Sequence, residues 1–156
     1  MQIAFIKTPL GTAKIVGDEN GISVISILEE GKLSEVIPNE LQETVTQLQD
    51  YFDGKRSDFH FKMNPKGTEF QQKVWKELLN IPFGKTMSYL DLSKKLGDVK
   101  AIRAVASANG KNPLWIVIPC HRVIGTDGSL TGYAGGLWRK KWLLEHENPT
   151  NQQSLF

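Results

Sequence analysis

The chain has 156 residues, 40% of them hydrophobic and 23% charged, which is typical of a globular protein with one ordinary domain or two small ones. No apolar run approaches the roughly 20 residues of a membrane span, and the first residues lack the pattern of a signal peptide, so we expect a cytoplasmic protein. Residues 1–65 carry 6 Lys or Arg against 10 Asp or Glu, whereas residues 66–147 carry 13 against 7, which indicates that the second half meets a polyanion.

The first 65 residues predict a small α+β domain. Residues 2–8, 12–17 and 22–28 alternate apolar and polar side chains and are separated by turn residues, which predicts an antiparallel meander. A 3.6-residue period then predicts a helix over residues 39–53. Its expected apolar face consists of Leu41, Val45, Leu48 and Phe52.

A short closing strand is predicted where Phe59, Phe61 and Met63 alternate with polar residues. The following residues, 64–67, read Asn-Pro-Lys-Gly and are typical of a linker. We therefore place a domain boundary at residue 65.

The second domain, residues 66–148, is predicted to be mostly helical. Thr68 and Gln71 form a capping box, and the helix that follows has an expected apolar stripe of Phe70, Val74, Leu78 and Leu79. Ser88 with Asp91 starts a second helix that ends at Gly97. Residues 100–109 predict a third helix, so the pair has the outline of a helix-turn-helix.

The remaining segments follow in a simple order. Residues 112–119 are apolar and framed by prolines, which predicts a buried extended segment. A glycine-rich loop over residues 125–136 leads into a last helix over 137–147. Residues 149–156 form a polar tail.

The single cysteine, Cys120, stands at the end of the apolar segment and is the candidate nucleophile. Pro119 ends any regular strand there, so the thiol lies at a bend. His121 offers a base and Arg122 a cation, and both favour the thiolate over the thiol. Glu147 is a candidate carboxylate to orient the histidine. These residues predict a nucleophilic cysteine and leave its electrophile open.

The segment from Pro119 to Val123, Pro-Cys-His-Arg-Val, resembles the active-site signature of the 6-O-alkylguanine-DNA alkyltransferases, also called methylated-DNA–protein-cysteine methyltransferases. Further blocks resemble the same family, in the same order and spacing, across roughly residues 68–147. These blocks are residues 81–84 with Ser88 and Tyr89, 101–105, 109–113, 132–136 and 143–147. The resemblance implies an α+β fold in which a ribonuclease-H-like sheet with one helix precedes a winged-helix-like domain.

The resemblance also implies a chemistry. Cys120 would take a methyl or other alkyl group from 6-O-alkylguanine in DNA, and less efficiently from 4-O-alkylthymine, and would be consumed by the reaction. His121 would accept the thiol proton through a water, Glu147 would hold the histidine, and Asn112 would stabilise the turn beside the cysteine. Tyr89 would contact the extruded base and help to protonate the leaving guanine.

The remaining roles concern the pocket and the DNA. The backbones of Cys120 and Val123 would accept from the guanine amino group, and Tyr133 and Ala134 would close the pocket. Arg103 would fill the space of the extruded base in double-stranded DNA. The helix that carries it would lie in the minor groove, and we expect Ala104, Ser107 and Arg122 to contribute to the DNA contact.

Other expectations concern partners and cofactors. We expect no cofactor and no zinc, because His60 is the only candidate ligand in residues 1–65. We expect a monomer. Gln152, Leu155 and Phe156 resemble the short motif by which bacterial repair proteins bind the sliding clamp.

Three alternatives remain open from the residues. A non-catalytic sensor of alkylated DNA would bind the lesion without reacting, although such relatives lack the cysteine. A helix-turn-helix regulator would explain the basic half but not the cysteine segment. A cysteine hydrolase would turn over repeatedly.

Overall fold

The computed structural model describes residues 1–130, 133 and 135–149. The chain divides into two compact units. The first comprises Met1–Lys66 and Pro113–Val117, and the second comprises Gly67–Asn112 and the described residues from Ile118 onward.

The sheet of the first unit is the predicted meander. Strands β1 (Gln2–Thr8), β2 (Gly11–Asp18) and β3 (Gly21–Leu28) form an antiparallel sheet in the order β1-β2-β3. Gly11 and Gly21 open the second and third strands with φ values of 132° and 123°, which L side chains rarely adopt. The two tight turns therefore depend on these glycines.

Helix α1 (Asn39–Phe52) packs on β1 and β2. Leu41, Val45 and Leu48 are buried as predicted, but the aromatic residue buried with them is Tyr51, whereas Phe52 is only partly buried. The helix ends before Gly54, whose φ of 77° is typical of a C-terminal cap.

The predicted closing strand over Phe59–Met63 is wrong except at its last residue. Met63 forms an isolated parallel bridge to Ile22. The backbone of His60 forms hydrogen bonds with the side-chain amide of Gln47 and not with a neighbouring strand. Gln47 Nε2 donates to the His60 carbonyl at 2.9 Å, and Gln47 Oε1 accepts from the His60 N–H at 2.8 Å. Because a helix side chain satisfies the backbone of His60, this segment needs no strand partner there.

Residues 112–119 were predicted to form an extended segment, and this holds only near its start. Leu114 bridges to Ile25 of β3. The chain then turns at Ile116, whose φ of 72° lies in the left-handed region, and the Val117 N–H donates to the Trp115 carbonyl at 2.9 Å. This is a γ-turn centred on a β-branched residue, a strained conformation. The prediction of burial is correct, since residues 114–117 are all buried.

The second unit begins with α2 (Glu69–Leu78), whose Thr68 and Gln71 form the predicted capping box. The predicted stripe is partly wrong: Phe70 and Leu79 are exposed, and Trp75 is buried in their place. The Trp75 indole donates to the Ala108 carbonyl at 2.9 Å, so it spans from α2 to a later helix. Tertiary packing here overrides the local period.

The helix-turn-helix consists of α3 (Tyr89–Lys95) and α4 (Ile102–Gly110). The Ser88 hydroxyl caps α3 by accepting from the Asp91 N–H, as predicted. The third helix was predicted to begin at residue 100, but Val99–Ala101 form a separate 3₁₀ turn and α4 begins at Ile102.

Two further elements complete this unit. The short strands β4 (Met87–Ser88) and β5 (Val123–Ile124) pair in parallel, and helix α5 spans Leu137–Glu147. The α+β class is confirmed. Within the described ranges, no helix is both long and apolar enough to cross a membrane, and no group of three or more His, Cys, Asp or Glu residues is placed to hold a metal ion.

Candidate active site

The site is built around Cys120, which begins a 3₁₀ turn over Cys120–Arg122 directly after Pro119. Regular strand geometry would point neighbouring side chains to opposite faces, and the turn removes this obstacle for Cys120 and His121. Cys120 is 7% exposed. Burial raises the pKa of its thiol, while a hydrogen bond with Asn112 and the positive charge of Lys140 act in the opposite direction.

His121 is fully buried, and its Nε2 lies 2.7 Å from Oε2 of Glu147, the last residue of α5. A carboxylate can only accept, so this bond places the ring proton on Nε2 and leaves Nδ1 as an acceptor. In the part of the chain that the structure describes, the buried Nδ1 has no hydrogen-bond partner. The imidazole is therefore arranged to take up one proton.

Arg122 shares Glu147 with the histidine. Its Nε donates to Glu147 Oε1 at 2.8 Å, one terminal nitrogen donates to Oε2 at 3.1 Å, and the other donates to the Ile81 carbonyl at 2.7 Å. Burial alone would raise the pKa of Glu147, but His121 and Arg122 more than offset it and hold this pKa well below its usual range. Glu147 is thus held as a carboxylate.

The DNA contact expected for Arg122 does not fit this placement. Its side chain is buried, and its guanidinium is bonded to Glu147 and the Ile81 carbonyl. The sequence predicted a DNA contact for Arg122 because it does not reveal that the carboxylate 25 positions later is the partner of this guanidinium.

The turn over residues 81–84 is anchored twice. Besides the bond from Arg122 to Ile81, the Asn148 side chain donates to the Gly84 carbonyl at 2.9 Å. These bonds hold the end of α5, and with it Glu147, against the turn that follows α2.

Asn112 lies beside the cysteine segment. Its Nδ2 donates to the Ile118 carbonyl at 2.6 Å. This bond joins the residue before segment 113–117 to the residue after it. A second asparagine, Asn109, is buried and donates to the Cys120 carbonyl at 3.4 Å. Sequence reasoning missed Asn109, because an asparagine at the end of a helix is ordinarily a cap.

Lys140 is the residue that sequence reasoning missed most clearly. It is 0% exposed, and its ammonium lies 5.8 Å from the ring centre of Tyr89 and 5.9 Å from that of Tyr133. Burial lowers its pKa to about 8, and the charge of Cys120 acts in the opposite direction. A signal was present, since Lys140 precedes Leu143, Leu144 and Glu147 by 3, 4 and 7 positions, the spacing of one helix face.

The other pocket residues are placed as follows. Tyr89 and Tyr133 are half-buried, and Val123 is buried in β5 beside Met87 of β4. Ala134 lies outside the described residues. Next to it, the Gly135 carbonyl accepts from Arg139 at 2.7 Å, so α5 holds this side of the loop.

Three of the residues expected to meet DNA lie on one exposed face of α4. Arg103, Ala104 and Ser107 are exposed, whereas Val105 and Ala108 on the other face are buried. Ser107 follows Ala104 by three positions and Arg103 by four, so the three exposed residues lie on one side of the helix. Fold and site together define a helix-turn-helix protein with a buried cysteine next to a hydrogen-bonded His–Glu pair.

Comparison with known proteins gives a consistent result. Residues 69–149 match the 6-O-methylguanine DNA methyltransferase DNA-binding domain, and residues 1–65 match the ribonuclease-like domain of the same family. The chain belongs to the 6-O-methylguanine DNA methyltransferase family, as the resemblance predicted.

Individual relatives cover nearly the whole chain. A methylated-DNA–protein-cysteine methyltransferase of Methanosarcina acetivorans is 43% identical over 153 residues, which is 94% of this chain and 98% of the relative. One of Mycobacterium tuberculosis is 42% identical over 91% of this chain and 89% of its own. The crystal structure of Mycobacterium tuberculosis OGT in complex with DNA has a TM-score of 0.86 at 40% identity and covers 96% of this chain and 94% of its own.

Proposed function

We propose that the protein repairs DNA by moving an alkyl group from the O6 atom of guanine to the sulfur of Cys120. The observation that carries this proposal is the buried imidazole next to the cysteine. The Nε2 atom of His121 is bonded to Glu147, and its Nδ1 atom is buried in the turn that also carries the Cys120 thiol. Such an arrangement can remove one proton from a thiol and keep it.

The reaction proceeds in one displacement. The thiol proton passes to His121 through a water, and the sulfur attacks the alkyl carbon on O6. The new S–C bond forms as the C–O bond breaks, and the electron pair remains on the guanine. Tyr89 then helps to deliver a proton to the leaving base, which avoids releasing a poor anionic leaving group.

The product is a thioether, which none of the groups proposed for this site can cleave. Each molecule therefore reacts once. The backbones of Cys120 and Val123 accept from the guanine amino group, Asn112 keeps the cysteine segment in place, and Tyr133 and Ala134 close the pocket. Alkylated thymine is a poorer substrate because it lacks that amino group.

The target carbon is buried in a duplex, so the nucleotide must rotate out at a cost of a few kcal/mol. The exposed face of α4 supports a minor-groove contact, because Ala104 and Ser107 allow close approach and Arg103 projects beside them. This groove carries little sequence information, which suits a protein that must search all sequences for damage.

The test is the intact mass of the protein after it is mixed with a duplex that contains one O6-methylguanine. One added methyl group per chain and no further reaction are expected. The Cys120→Ser variant should bind the duplex but gain no mass. Repeated turnover would favour a hydrolase, and tight binding without a mass change would favour a non-catalytic sensor.

The role of Arg103 has its own test. Arg103→Ala should slow transfer from duplex DNA more than transfer from the free alkylated base, because only the duplex requires extrusion. Lys100→Ala is the matched control, since it removes an exposed positive charge next to α4. Equal losses on both substrates, or an equal loss for Lys100→Ala, would contradict the assignment.

Organisation and partners complete the proposal. Residues 1–65 form the ribonuclease-H-like domain, residues 66–148 carry DNA binding and alkyl transfer, and residues 149–156 form a tail. The protein acts as a monomer in the cytoplasm. The reducing environment of this compartment keeps the thiol of Cys120 free of disulfides. Gln152, Leu155 and Phe156, which lie outside the described residues, dock on the sliding clamp; unchanged clamp affinity after deletion of the last two residues would contradict this.

A further inference from the structure

Lys140 is a cation placed where a protein rarely puts one. Its side chain is 0% exposed, on the face of α5 that also carries Glu147. Moving an ammonium group out of water is costly unless a negative charge or polar groups compensate it. A buried ammonium is also little screened by water, so it acts strongly on any charge that develops near it.

The surroundings of Lys140 locate its ammonium in the pocket. It lies 5.8 Å and 5.9 Å from the ring centres of Tyr89 and Tyr133, the two aromatic residues proposed to hold the extruded base. An ammonium at this distance is attracted by the negative face of an aromatic ring. The pocket thus has an ammonium group near the rings of both tyrosines.

The carboxylate of the site already has a cationic partner. Glu147 accepts three hydrogen bonds from His121 and Arg122, so the negative charge of the carboxylate is matched by the guanidinium. The positive charge of Lys140 acts on Cys120, which is buried in the same site. The sulfur gains a negative charge only when it gives up its proton.

We propose that Lys140 is the electrostatic partner of the reacting sulfur, holding the Cys120 thiolate and afterwards the departing guanine in a positively charged pocket. The charge balance of the reaction supports this role. A negative charge appears on the sulfur when the proton moves to His121, and it passes to the guanine when the C–O bond breaks. Lys140 remains positive through both steps. The second step rests on the proposed function, whereas the first concerns the thiol alone.

The test therefore uses a small thiol reagent in place of DNA. The rate at which iodoacetamide alkylates Cys120 is measured against pH for the wild type, Lys140→Met and Lys140→Arg. A neighbouring opposite charge shifts a pKa by about 1–3 units, so Lys140→Met should react about tenfold or more slowly at neutral pH. Its profile should shift to higher pH, and Lys140→Arg should recover most of the rate.

Two controls separate this role from a structural one. Lys141→Met removes the neighbouring lysine, which is half exposed and pairs with Glu145 at 3.9 Å, and should leave the profile unchanged. Lys140→Met should also melt no lower than the wild type, because replacing a buried charge with an apolar side chain is often neutral or stabilising. If it does not fold, Lys140→Gln takes its place.

A wild-type rate and an unshifted profile for folded Lys140→Met or Lys140→Gln would overturn the proposal. So would a Lys140→Arg variant that reacts as slowly as the neutral variants. The proposed function is tested separately by the mass gained from methylated DNA. Failure to gain that mass, together with a Lys140-dependent thiol, would reject the DNA reaction and leave the role of Lys140 intact.

Discussion

Glu147→Gln is the most informative single change, because it removes a charge and keeps the shape of the side chain. Glu147 is buried and accepts hydrogen bonds at 2.7, 2.8 and 3.1 Å from one imidazole and one guanidinium. The amide can accept at only one of its two ends, so Arg122 loses part of its bidentate contact and remains a buried charge without its counter-charge.

The size of the effect follows from that loss. Removing one partner of a buried ion pair costs about 3–5 kcal/mol. For a chain of this length each kcal/mol lowers the melting temperature by about 2–4 °C, so a decrease of roughly 6–20 °C is expected. Alkyl transfer should fall as well, because the amide no longer stabilises a protonated His121.

The assay is thermal and urea-induced unfolding, followed by the intact-mass reaction at a temperature where both proteins are folded. Glu145→Gln is the control: this residue lies on the same helix, but its ion pair with Lys141 is long and partly exposed, so a change within about 0.5 kcal/mol is expected. A Glu147→Gln variant as stable as Glu145→Gln would refute the reasoning.

The pH dependence gives a second measure of the same interaction. Because the pKa of Glu147 lies well below its unfolded value of 4.5, its stabilisation is fully present above that value and is lost as the pH falls further. The stability gap between wild type and Glu147→Gln should therefore shrink below about pH 4.5. Adding Arg122→Met to the variant should recover stability, since no buried charge then remains unpaired.

Three further outcomes are expected. Between its folded pKa of about 8 and its unfolded value of 10.5, Lys140 is neutral in the folded protein and charged in the unfolded chain. The wild type should therefore gain stability relative to Lys140→Met as the pH rises through this window, and an unchanged difference in their free energies of unfolding by urea would contradict this. Thr68→Ala removes the cap of α2 and should cost about 1 kcal/mol in urea unfolding, whereas Thr68→Ser should cost little. Gln47→Leu leaves the His60 backbone without its side-chain partner and should cost about 1–3 kcal/mol, and an equal cost for the exposed Gln49→Leu would count against this account.

The elements that the sequence predicted well depend on local physics. The meander follows from alternation and turn residues, and the starts of α2 and α3 follow from Thr68 and Ser88, whose hydroxyls bond three residues ahead. The prediction of a closing strand at Phe59 and Phe61 was wrong because the structure there depends on a contact that is distant in sequence. The backbone between them is satisfied by Gln47, thirteen residues from His60, and no local pattern encodes such a pairing.

The site divides in the same way. Cys120 and His121, the proposed nucleophile and base, are adjacent in sequence and were predicted from one motif, whereas the role of Arg122 depends on a carboxylate 25 residues away. The spacing of Lys140 from Leu143, Leu144 and Glu147 places it on their helix face, but this spacing does not by itself show that it is buried. A lysine in that position is ordinarily taken for a solvated charge, and only its packing reveals that it is buried.

The bonds that complete the site join segments far apart in the chain: Arg122 to Ile81 across 41 residues and Asn148 to Gly84 across 64. An unfolded copy cannot hold these segments together, so its cysteine is an ordinary thiol that ignores damaged DNA. Titration with a methylated duplex therefore counts correctly assembled molecules, and the number of methyl groups taken up by a preparation is a direct assay of its folded fraction.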